Sequence, residues 1–468
     1  MPASLALLVW FVLLLGLLRF DPTKDSKPSL ALWVPLIWMF INGSRLPSQW
    51  IGGQVQTASQ ALEEGNALDR SIFILLILLA LGILMSRSFK WGNFLARNII
   101  LMTFLFFALI SVLWSDFPFV SFKRWFRDLG DYLVILVVLS DPRPLEAVVT
   151  LLRRLCYLLI PLSILVIKYY PQIGKQYEFW TGATTFVGAA TSKNMLGVLS
   201  LISGIFFFWD TVTRWSNRKE RRTRKIIVLN VAFMAMTLWL LNLSNSATSR
   251  VCLALGCLVI AGAHSRKMRR HPNFLKVVIP VCLVLYMVLE LGFGVSGGLA
   301  EAVGRNSTLT GRTELWTILF GMHTNPLVGT GYESFWLGPR LHLVWQRFAI
   351  VNEAHNGYLE VYLNLGLIGL FLLGGFLIAS YRNICRRLTD LSTFSFASLV
   401  LALWTMLLFY NVTEAAFKSQ LVWLTFRLGA IVVPGLAADR IRNVAASDNE
   451  GARERVLRLP LETARQER

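Results

Sequence analysis

His355 and Asn356 close a long polar stretch and open an apolar run, His355-Asn356-Gly357-Tyr358-Leu359-Glu360-Val361-Tyr362, that continues through Gly366 and Gly369. Imidazole is the side chain whose ordinary pKa lets it take or give a proton near neutral pH. The junction therefore presents an acid–base group where an apolar segment meets an aqueous loop. His323 and His342 share that loop, but their spacing matches no common metal-ligand pattern. The five cysteines (Cys156, Cys252, Cys257, Cys282, Cys385) lie in or beside apolar stretches without ligand-like spacing. They indicate packing rather than a disulfide framework or a zinc site.

The elements that must position this histidine are set by composition. With 55% hydrophobic and 16% charged residues in 468, the chain cannot be a water-soluble globule. The expected fold class is an all-α integral membrane protein, a polytopic bundle of about 12–13 transmembrane helices with one large structured loop on the outer face, periplasmic or outside the cell. Its apolar stretches run from Ala3 to Phe20, Ser29 to Ile41, Ser71 to Met85, Ile99 to Trp114, Tyr132 to Leu139, Val148 to Ile167 and Asn194 to Trp209. They continue from Ile226 to Leu243, Val251 to Ala263, Val277 to Leu291, Tyr358 to Ser380, Phe396 to Tyr410 and Leu421 to Leu436. The first has no basic residues ahead of it and no small-residue cleavage pattern before Asp21, so it is expected to be retained.

The formal net charge of +19 does not indicate nucleic acid, because the basic residues are grouped in short loops between apolar stretches. The positive-inside rule accounts for them. It places the clusters Arg214 to Lys225, Arg266 to Arg270 and Arg382 to Arg387 in the cytoplasm, and the stretch from Val295 to Asn356 on the outer face. The same alternation puts the Ser244 to Arg250 turn and an Asp116 to Asp131 loop outside, and the tail after Asp439 inside. With thirteen spans the N-terminus is outside as well. The domain expectation is an N-terminal transmembrane bundle over 1–295, a periplasmic loop over 296–356, C-terminal transmembrane helices over 357–437 and a charged cytoplasmic tail over 438–468.

Loops of about sixty residues in compact proteins are usually functional or disordered, and this one carries signs of order. Gly311-Arg312-Thr313-Glu314-Leu315-Trp316-Thr317-Ile318-Leu319-Phe320 has helical amphipathic spacing. Asn325-Pro326-Leu327-Val328-Gly329-Thr330-Gly331-Tyr332 carries Pro and Gly turn signals, with aromatics after it. A short helix and a structured turn lying over the bundle as a lid are expected. Tryptophans at segment ends (Trp33, Trp50, Trp114, Trp125, Trp180) read as an aromatic belt, with sugar stacking as an alternative for some.

These blocks resemble the bacterial O-antigen ligase and O-antigen polymerase superfamily, whose shared region is the Wzy_C domain. The superfamily's ligase signature is a His, then Asn, Ser or Gln, nine residues, Gly, two residues and Gly, Thr or Tyr. His355, Asn356, Gly366 and Gly369 fill it. The Ser246-Ala247-Thr248-Ser249-Arg250 turn, the Gly311-Arg312 to Trp316 segment and the Asn325-Pro326 to Gly331-Tyr332 turn are similar to the other blocks, in the same order. Ser192-Lys193-Asn194-Met195-Leu196-Gly197 is similar to a further one. Ser44-Arg45-Leu46-Pro47-Ser48-Gln49-Trp50 resembles a subset associated with exopolysaccharide production.

The resemblance implies a membrane glycosyltransferase at the periplasmic face of the bacterial inner membrane. It would transfer or polymerise glycan from an undecaprenyl-diphosphate-linked donor in surface polysaccharide biosynthesis, exopolysaccharide or lipopolysaccharide. The acceptor would be lipid A-core, another lipid-linked glycan or a protein, with membrane lipids as surroundings and no nucleic acid partner. A diphosphate leaving group needs fixed cations, and guanidinium groups grip phosphate in a bidentate fork. Arg250 and Arg312 are the first candidates, followed by Arg124 and Arg127, which sit in an expected outer loop against the positive-inside trend. A sugar hydroxyl is a poor nucleophile that gains from a base. His355 suits that task, because a helix N-terminus disfavours imidazolium and predicts a neutral ring. Glu353 would orient that ring or hold the acceptor. Direct displacement would invert the anomeric configuration. No cofactor and no metal is expected, since arginines supply the charge.

Each assignment has a plainer alternative. His355 alone would be an interfacial helix cap, Arg250 a snorkelling side chain, and Arg312, Arg124 and Arg127 solvated charges. Lys193 and Asn194 would be helix-start and packing residues. The rival from another class is a transporter or flippase for the same lipid-linked glycan, which would need charges along a path across the membrane. A scaffold subunit of an export complex would leave the ordered loop unexplained. The concentration of charge in loops, with few ionisable residues in mid-helix, favours a site at one face.

Overall fold

Long apolar segments punctuated by Pro, Ser and Asn at their starts fold into helices whose ends are set by those residues. The protein is represented by a computed structural model that describes residues 1–19, 29–52, 65–177, 182–266, 312–348, 351–418 and 420–432, with isolated positions between 268 and 285. Lys267, Arg269 and Arg270, much of the Val277 to Leu291 stretch, the loop up to Gly311, Trp180 and the tail after Asp439 lie outside the described residues.

The N-terminal half contains α1 (Ala3–Arg19), α2 (Trp33–Gly43), α3 (Pro47–Ile51), α4 (Ala67–Ser86), α5 (Trp91–Arg97), α6 (Ile99–Ile110), α7 (Pro118–Leu139) and α8 (Pro144–Tyr169). Then follow α9 (Pro171–Gly174), a hairpin of β1 (Lys175–Tyr177) and β2 (Thr184–Phe186), α10 (Lys193–Arg214), α11 (Arg221–Ser244) and α12 (Ala247–His264). Next come α13 (Arg312–Gly321) and α14 (Gly338–Trp345), then α15 (Gly357–Leu388), α16 (Leu391–Thr413) and α17 (Leu421–Ala430). Among the described residues, seven helices are long and apolar enough to cross a membrane. An eighth span results if α5 and the Ile99–Trp114 helix, bent by 90° to one another, count as one. The fold is thus an all-α polytopic membrane protein. The larger number of spans expected from sequence also counts α1, α2, α17 and the apolar half of α7, which are helical but shorter or more polar.

α10 packs against α11 and α12, α12 against α16, and α16 against α15, while α4 lies on α7. One continuous hydrophobic core runs through these helices. A second, smaller core lies in the loop region, where Leu315 and Leu319 of α13, Phe335, Trp336, Leu341 and Val344 meet Leu359 and Leu363 of α15. Burying a large side chain of this kind stabilises by about 1.5–3 kcal/mol. The described part of the loop, residues 312–348, is therefore packed on α15, and it includes α14, which the sequence reading does not single out.

Two local expectations change. Asp116 to Asp131 is not a loop: Pro118 occupies the first turn of α7, and the helix runs on to Leu139, because proline's fixed φ suits that position. Ser244 to Arg250 contracts to a tight link in which Asn245 adopts a left-handed conformation and Ser246 caps α12, so Arg250 stands in the first turn of a helix.

The expectation that ionisable residues avoid the bundle interior is also incomplete. Arg427 of α17 is fully buried, reaching Asp128 at 3.2 Å and pairing with Asp131. The Trp38 indole donates to Asp131 at 2.6 Å. Arg153 of α8 meets Asp210 of α10 at 3.0 Å, and Asp210 also accepts from Asn230 of α11 at 2.7 Å. Such groups persist in low dielectric only when paired, and these pairs tie α7 to α17 and α8 to α10.

Candidate active site

The segment 353–356 is held before it does anything. Asn356 caps α15, its Oδ1 accepting from the Tyr358 and Leu359 amides at 3.0 and 2.9 Å, while its Nδ2 donates to the Val412 carbonyl at 3.2 Å. Ala354 is fully buried. Its amide donates to Glu360 at 2.9 Å, and its carbonyl accepts from the Trp316 indole at 2.8 Å. The second Glu360 oxygen accepts from Trp336 at 2.8 Å. Between these anchors His355 takes a φ of 49°, a left-handed conformation that costs a non-glycine residue about 1–3 kcal/mol and persists where the surroundings enforce it.

That conformation turns the imidazole onto two carboxylates. Nδ1 lies 3.3 Å from Glu353 Oε1 and 3.4 Å from Glu414 Oε2. Glu414, at the end of α16, also receives Arg312 of α13 at 3.2 Å and the Asn194 amide of α10 at 3.3 Å. Glu353 Oε2 accepts from Lys418 Nζ at 3.0 Å. Four sequence-predicted residues, His355, Glu353, Arg312 and Asn194, thus converge with Glu414 and Lys418, which sequence reasoning does not single out. Their signal is a carboxylate and a lysine in the short connection after an apolar helix, which carries no motif. Lys193 begins α10 beside Asn194.

The electrostatics differ from the sequence expectation for His355. Burial lowers its pKa, but the Glu414 hydrogen bond and the Glu353 and Glu414 charges outweigh burial, so the net shift is upward from 6.5. The helix dipole is a weaker influence than two carboxylates in contact. Burial likewise pushes Glu353 up, but the Lys418 ammonium, followed by His355 and Arg312, holds it below the usual carboxylate range. The Nδ1 edge faces the carboxylates, which leaves Nε2 as the edge that can exchange a proton with a reactant. This is an imidazole whose protonated form is stabilised in place, the arrangement a general base needs. Glu353, His355 and Glu414 offer ligand atoms within 4.8 Å of one another. Lys418 and Arg312 already stand against both carboxylates as counter-charges, so the donor set does not need an ion for balance.

Gly366 and Gly369 belong to the scaffold. α15 breaks at Gly366, where φ is 63° and ψ is −163°. The Leu367 and Ile368 amides donate to the carbonyls of Pro326 and Leu327 at 2.9 and 3.1 Å. In return, the Leu363 and Asn364 carbonyls accept from the Thr330 and Gly331 amides at 3.1 and 2.9 Å. The 325–331 turn thus satisfies the backbone groups that the break releases, a requirement inside a membrane protein. A Cβ on Gly366 would lie 2.3 Å from the Leu327 carbonyl. At Gly369 the nearest side chain is Leu365.

The remaining predicted cations fall elsewhere. Arg250 donates to the Asn242 carbonyl at 3.1 Å and to Asn245 at 3.4 Å, closing the α11–α12 link. Arg124 and Arg127 of α7 line a cavity of about 530 Å³ between α4, α7 and the loop region. Arg124 donates to the Glu333 carbonyl, and Arg127 to Asn42 at 3.1 Å. Apolar Phe73, Ile74 and Ile77 form one wall of the cavity, and Glu360 and Lys418 form part of another. Of the belt tryptophans, Trp114 donates to Val328 at 3.2 Å and Trp125 to Leu105 at 2.9 Å, so both fasten elements together.

Fold and site together define a polytopic helical membrane protein with an acid–base cluster held between an ordered loop and the ends of α10, α15 and α16. Residues 231–374 match the Wzy_C family, described as O-antigen ligase. The exopolysaccharide production protein ExoQ of Rhizobium meliloti (strain 1021) is 28% identical over 310 residues, covering 64% of this chain and 67% of that protein. Over these regions the chain is similar to O-antigen ligase and exopolysaccharide-production proteins, in line with the resemblance in its motifs. The matched region contains Arg250, Arg312 and His355, whereas Asn194, Glu414 and Lys418 lie beyond it.

Proposed function

We propose that the protein is a glycosyltransferase of surface polysaccharide biosynthesis that transfers or polymerises glycan from an undecaprenyl-diphosphate-linked donor at the periplasmic face of the inner membrane. The observation that carries this reading is the His355 cluster, an imidazole with a stabilised protonated form, backed by Glu353 and Glu414 at 3.3 and 3.4 Å. His355 Nε2 takes the proton of an acceptor hydroxyl as its oxygen attacks the anomeric carbon, and the bond to the diphosphate oxygen breaks. The proton then rests on an imidazolium that the two carboxylates stabilise. One displacement on the face opposite the leaving group inverts the anomeric centre.

The diphosphate leaves with its charge unprotonated and needs cations. Geometry reorders the candidates: Arg124 and Arg127 stand at a cavity with an apolar wall, which suits an amphiphile with an anionic head. Arg312 is engaged with Glu414, and Arg250 with its own turn. With guanidinium groups available, the reaction needs no metal ion. The ligase, polymerase and protein-glycosylating forms share this donor chemistry and differ in the acceptor.

The buried charges of the bundle bear on the flippase reading. Among the described residues, Arg427 is paired with Asp128 and Asp131, and Arg153 with Asp210, which supports a site at one face over a conduction path. The test is proteoliposome transfer with a lipid-linked repeat unit as the sole glycan, followed by NMR of the new linkage. An inverted linkage is expected; a retained one would exclude single displacement. Translocation of the lipid without any new glycosidic bond would favour the flippase.

A further inference from the structure

Lys418 belongs to two places at once. It lines the cavity that holds Arg124 and Arg127, and its Nζ lies 3.0 Å from Glu353 Oε2. The other oxygen of the same carboxylate, Oε1, lies 3.3 Å from His355 Nδ1. One carboxylate is therefore shared between an ammonium at the cavity wall and the imidazole. Arg70 and Lys123 add cationic charge to the same cavity, where Asp69, Glu333 and Glu360 also stand, so an anion entering it meets more cations than carboxylates, and of those cations Lys418 is bonded to the acid–base cluster. Lysine is the side chain suited to change partners, since its ammonium is a compact charge on a long flexible stem with three donors.

We propose that Lys418 is a positioning residue that couples occupancy of the cavity by a diphosphate group to His355. With the cavity empty, Lys418 holds Glu353 and draws part of its charge away from the imidazole. When a diphosphate enters, the ammonium swings to the phosphate oxygens, and Glu353 is left to the imidazole alone. The base is then strongest when a donor is in place, and weaker when an acceptor is present without one. No bond is made or broken in this exchange; one ion pair replaces another. The inference rests on the reading of the protein as a transferase using a lipid-linked diphosphate, and it adds the residue that connects donor binding to the base.

The exchange makes Glu353 and the diphosphate competitors for Lys418, and linkage requires the competition to appear in binding alone. The experiment measures the affinity of inorganic pyrophosphate, and separately of undecaprenyl diphosphate, for the full-length protein in nanodiscs by calorimetry, without acceptor. Four forms are compared: wild type, Glu353→Gln, Lys418→Met and the double variant. Glu353→Gln should tighten diphosphate binding by about fivefold or more, the lower end of ordinary coupling between linked sites. Lys418→Met should weaken it, and Glu353→Gln should change nothing in the Lys418→Met background. Lys418→Arg, which keeps the charge, should retain the tightening.

A lysine with a purely structural role would give no tightening in Glu353→Gln. Unchanged or weaker binding in a folded Glu353→Gln protein overturns the proposal, as does an equal tightening in the Lys418→Met background. Undecaprenyl diphosphate binding more tightly than pyrophosphate would identify the lipid-linked form as the occupant. Equal affinities would assign the site to the free anion and detach the coupling from the donor, overturning the proposal as stated. Because the cycle reads binding, a protein that passes it yet transfers no glycan would refute the transferase reading while leaving the competition intact.

Discussion

Glu414 joins the His355 imidazole to Arg312 through one carboxylate. Replacing it with Gln keeps the shape and the capacity to accept from Asn194, but removes a charge that lies 3.4 Å from His355 Nδ1 and 3.2 Å from Arg312. Two unit charges at 3.4 Å attract by about 1.2 kcal/mol in a water-like medium and by about 5 kcal/mol at an effective dielectric of ~20. His355 keeps 28% of its side-chain surface exposed, so solvent screening selects the lower half of that range.

The expected loss of transition-state stabilisation is about 1.4–2.7 kcal/mol, a ~10- to 100-fold fall in kcat/KM. The pH profile supplies the sign. A base must be unprotonated to act, and the carboxylates raise the His355 pKa from 6.5, so wild-type activity falls as pH drops through a value above 6.5. Without the Glu414 charge, that acid limb moves to lower pH while the plateau rate falls. The assay is transfer from a labelled lipid-linked donor in proteoliposomes across about pH 5–9. An unmoved acid limb together with an unchanged plateau would refute the argument that Glu414 stabilises the His355 imidazolium.

Three further outcomes follow from the geometry. Gly366→Ala places a Cβ 2.3 Å from the Leu327 carbonyl at a φ of 63°; a loss of about 2 kcal/mol or more is expected, visible as proteolysis of the 325–331 turn at lower temperature, and wild-type resistance would disprove the docking. Arg427→Met leaves Asp128 and Asp131 without their cation and should cost about 3–5 kcal/mol, read as thermal aggregation in detergent, with Asp128→Asn and Asp131→Asn together restoring part of it. The raised His355 pKa stabilises the folded state fully below pH 6.5, and that contribution disappears as pH rises through the folded value. Thermal stability should therefore show a step above pH 6.5 that is absent from His355→Ala; an identical step in the variant would assign it to another group.

Much of this site is legible in the sequence because backbone rules write it there. Asn356 and Gly366 are legible as positions of the signature, while their roles as helix cap and helix break appear only in the fold. The Asn325-Pro326 and Gly329 to Gly331 signals give the turn that docks on the break. The helix Arg312–Gly321 follows from amphipathic spacing. What sequence does not carry is the partner across space. Glu414 lies 59 residues from His355, and Lys418 lies 65 from Glu353. No periodicity connects them; tertiary packing of α16 against α15 and α12 does.

The same blindness explains two errors of expectation. Arg124 and Arg127 read as loop residues in the sequence because the first half of α7 is polar, but Pro118 starts a helix from which both line a cavity. The helix start alone predicts a disfavoured His355 imidazolium, whereas contact with two carboxylates shifts its pKa upward. The buried pairs of Arg427 and Arg153 were hidden because single charges inside apolar runs look like run boundaries. Only the folded bundle shows their counter-charges.

His355 is proposed here as the base for glycan transfer from a lipid-linked diphosphate. Its most direct test is purified protein reconstituted with a labelled undecaprenyl-diphosphate repeat unit, with His355→Ala alongside, followed by product length. The wild type should give elongated product when the acceptor is a second lipid-linked repeat, or a single addition when lipid A-core is supplied. A His355→Ala protein that is inserted and as heat-stable as the wild type should give neither. Transfer at the wild-type rate by that variant would contradict that role for His355.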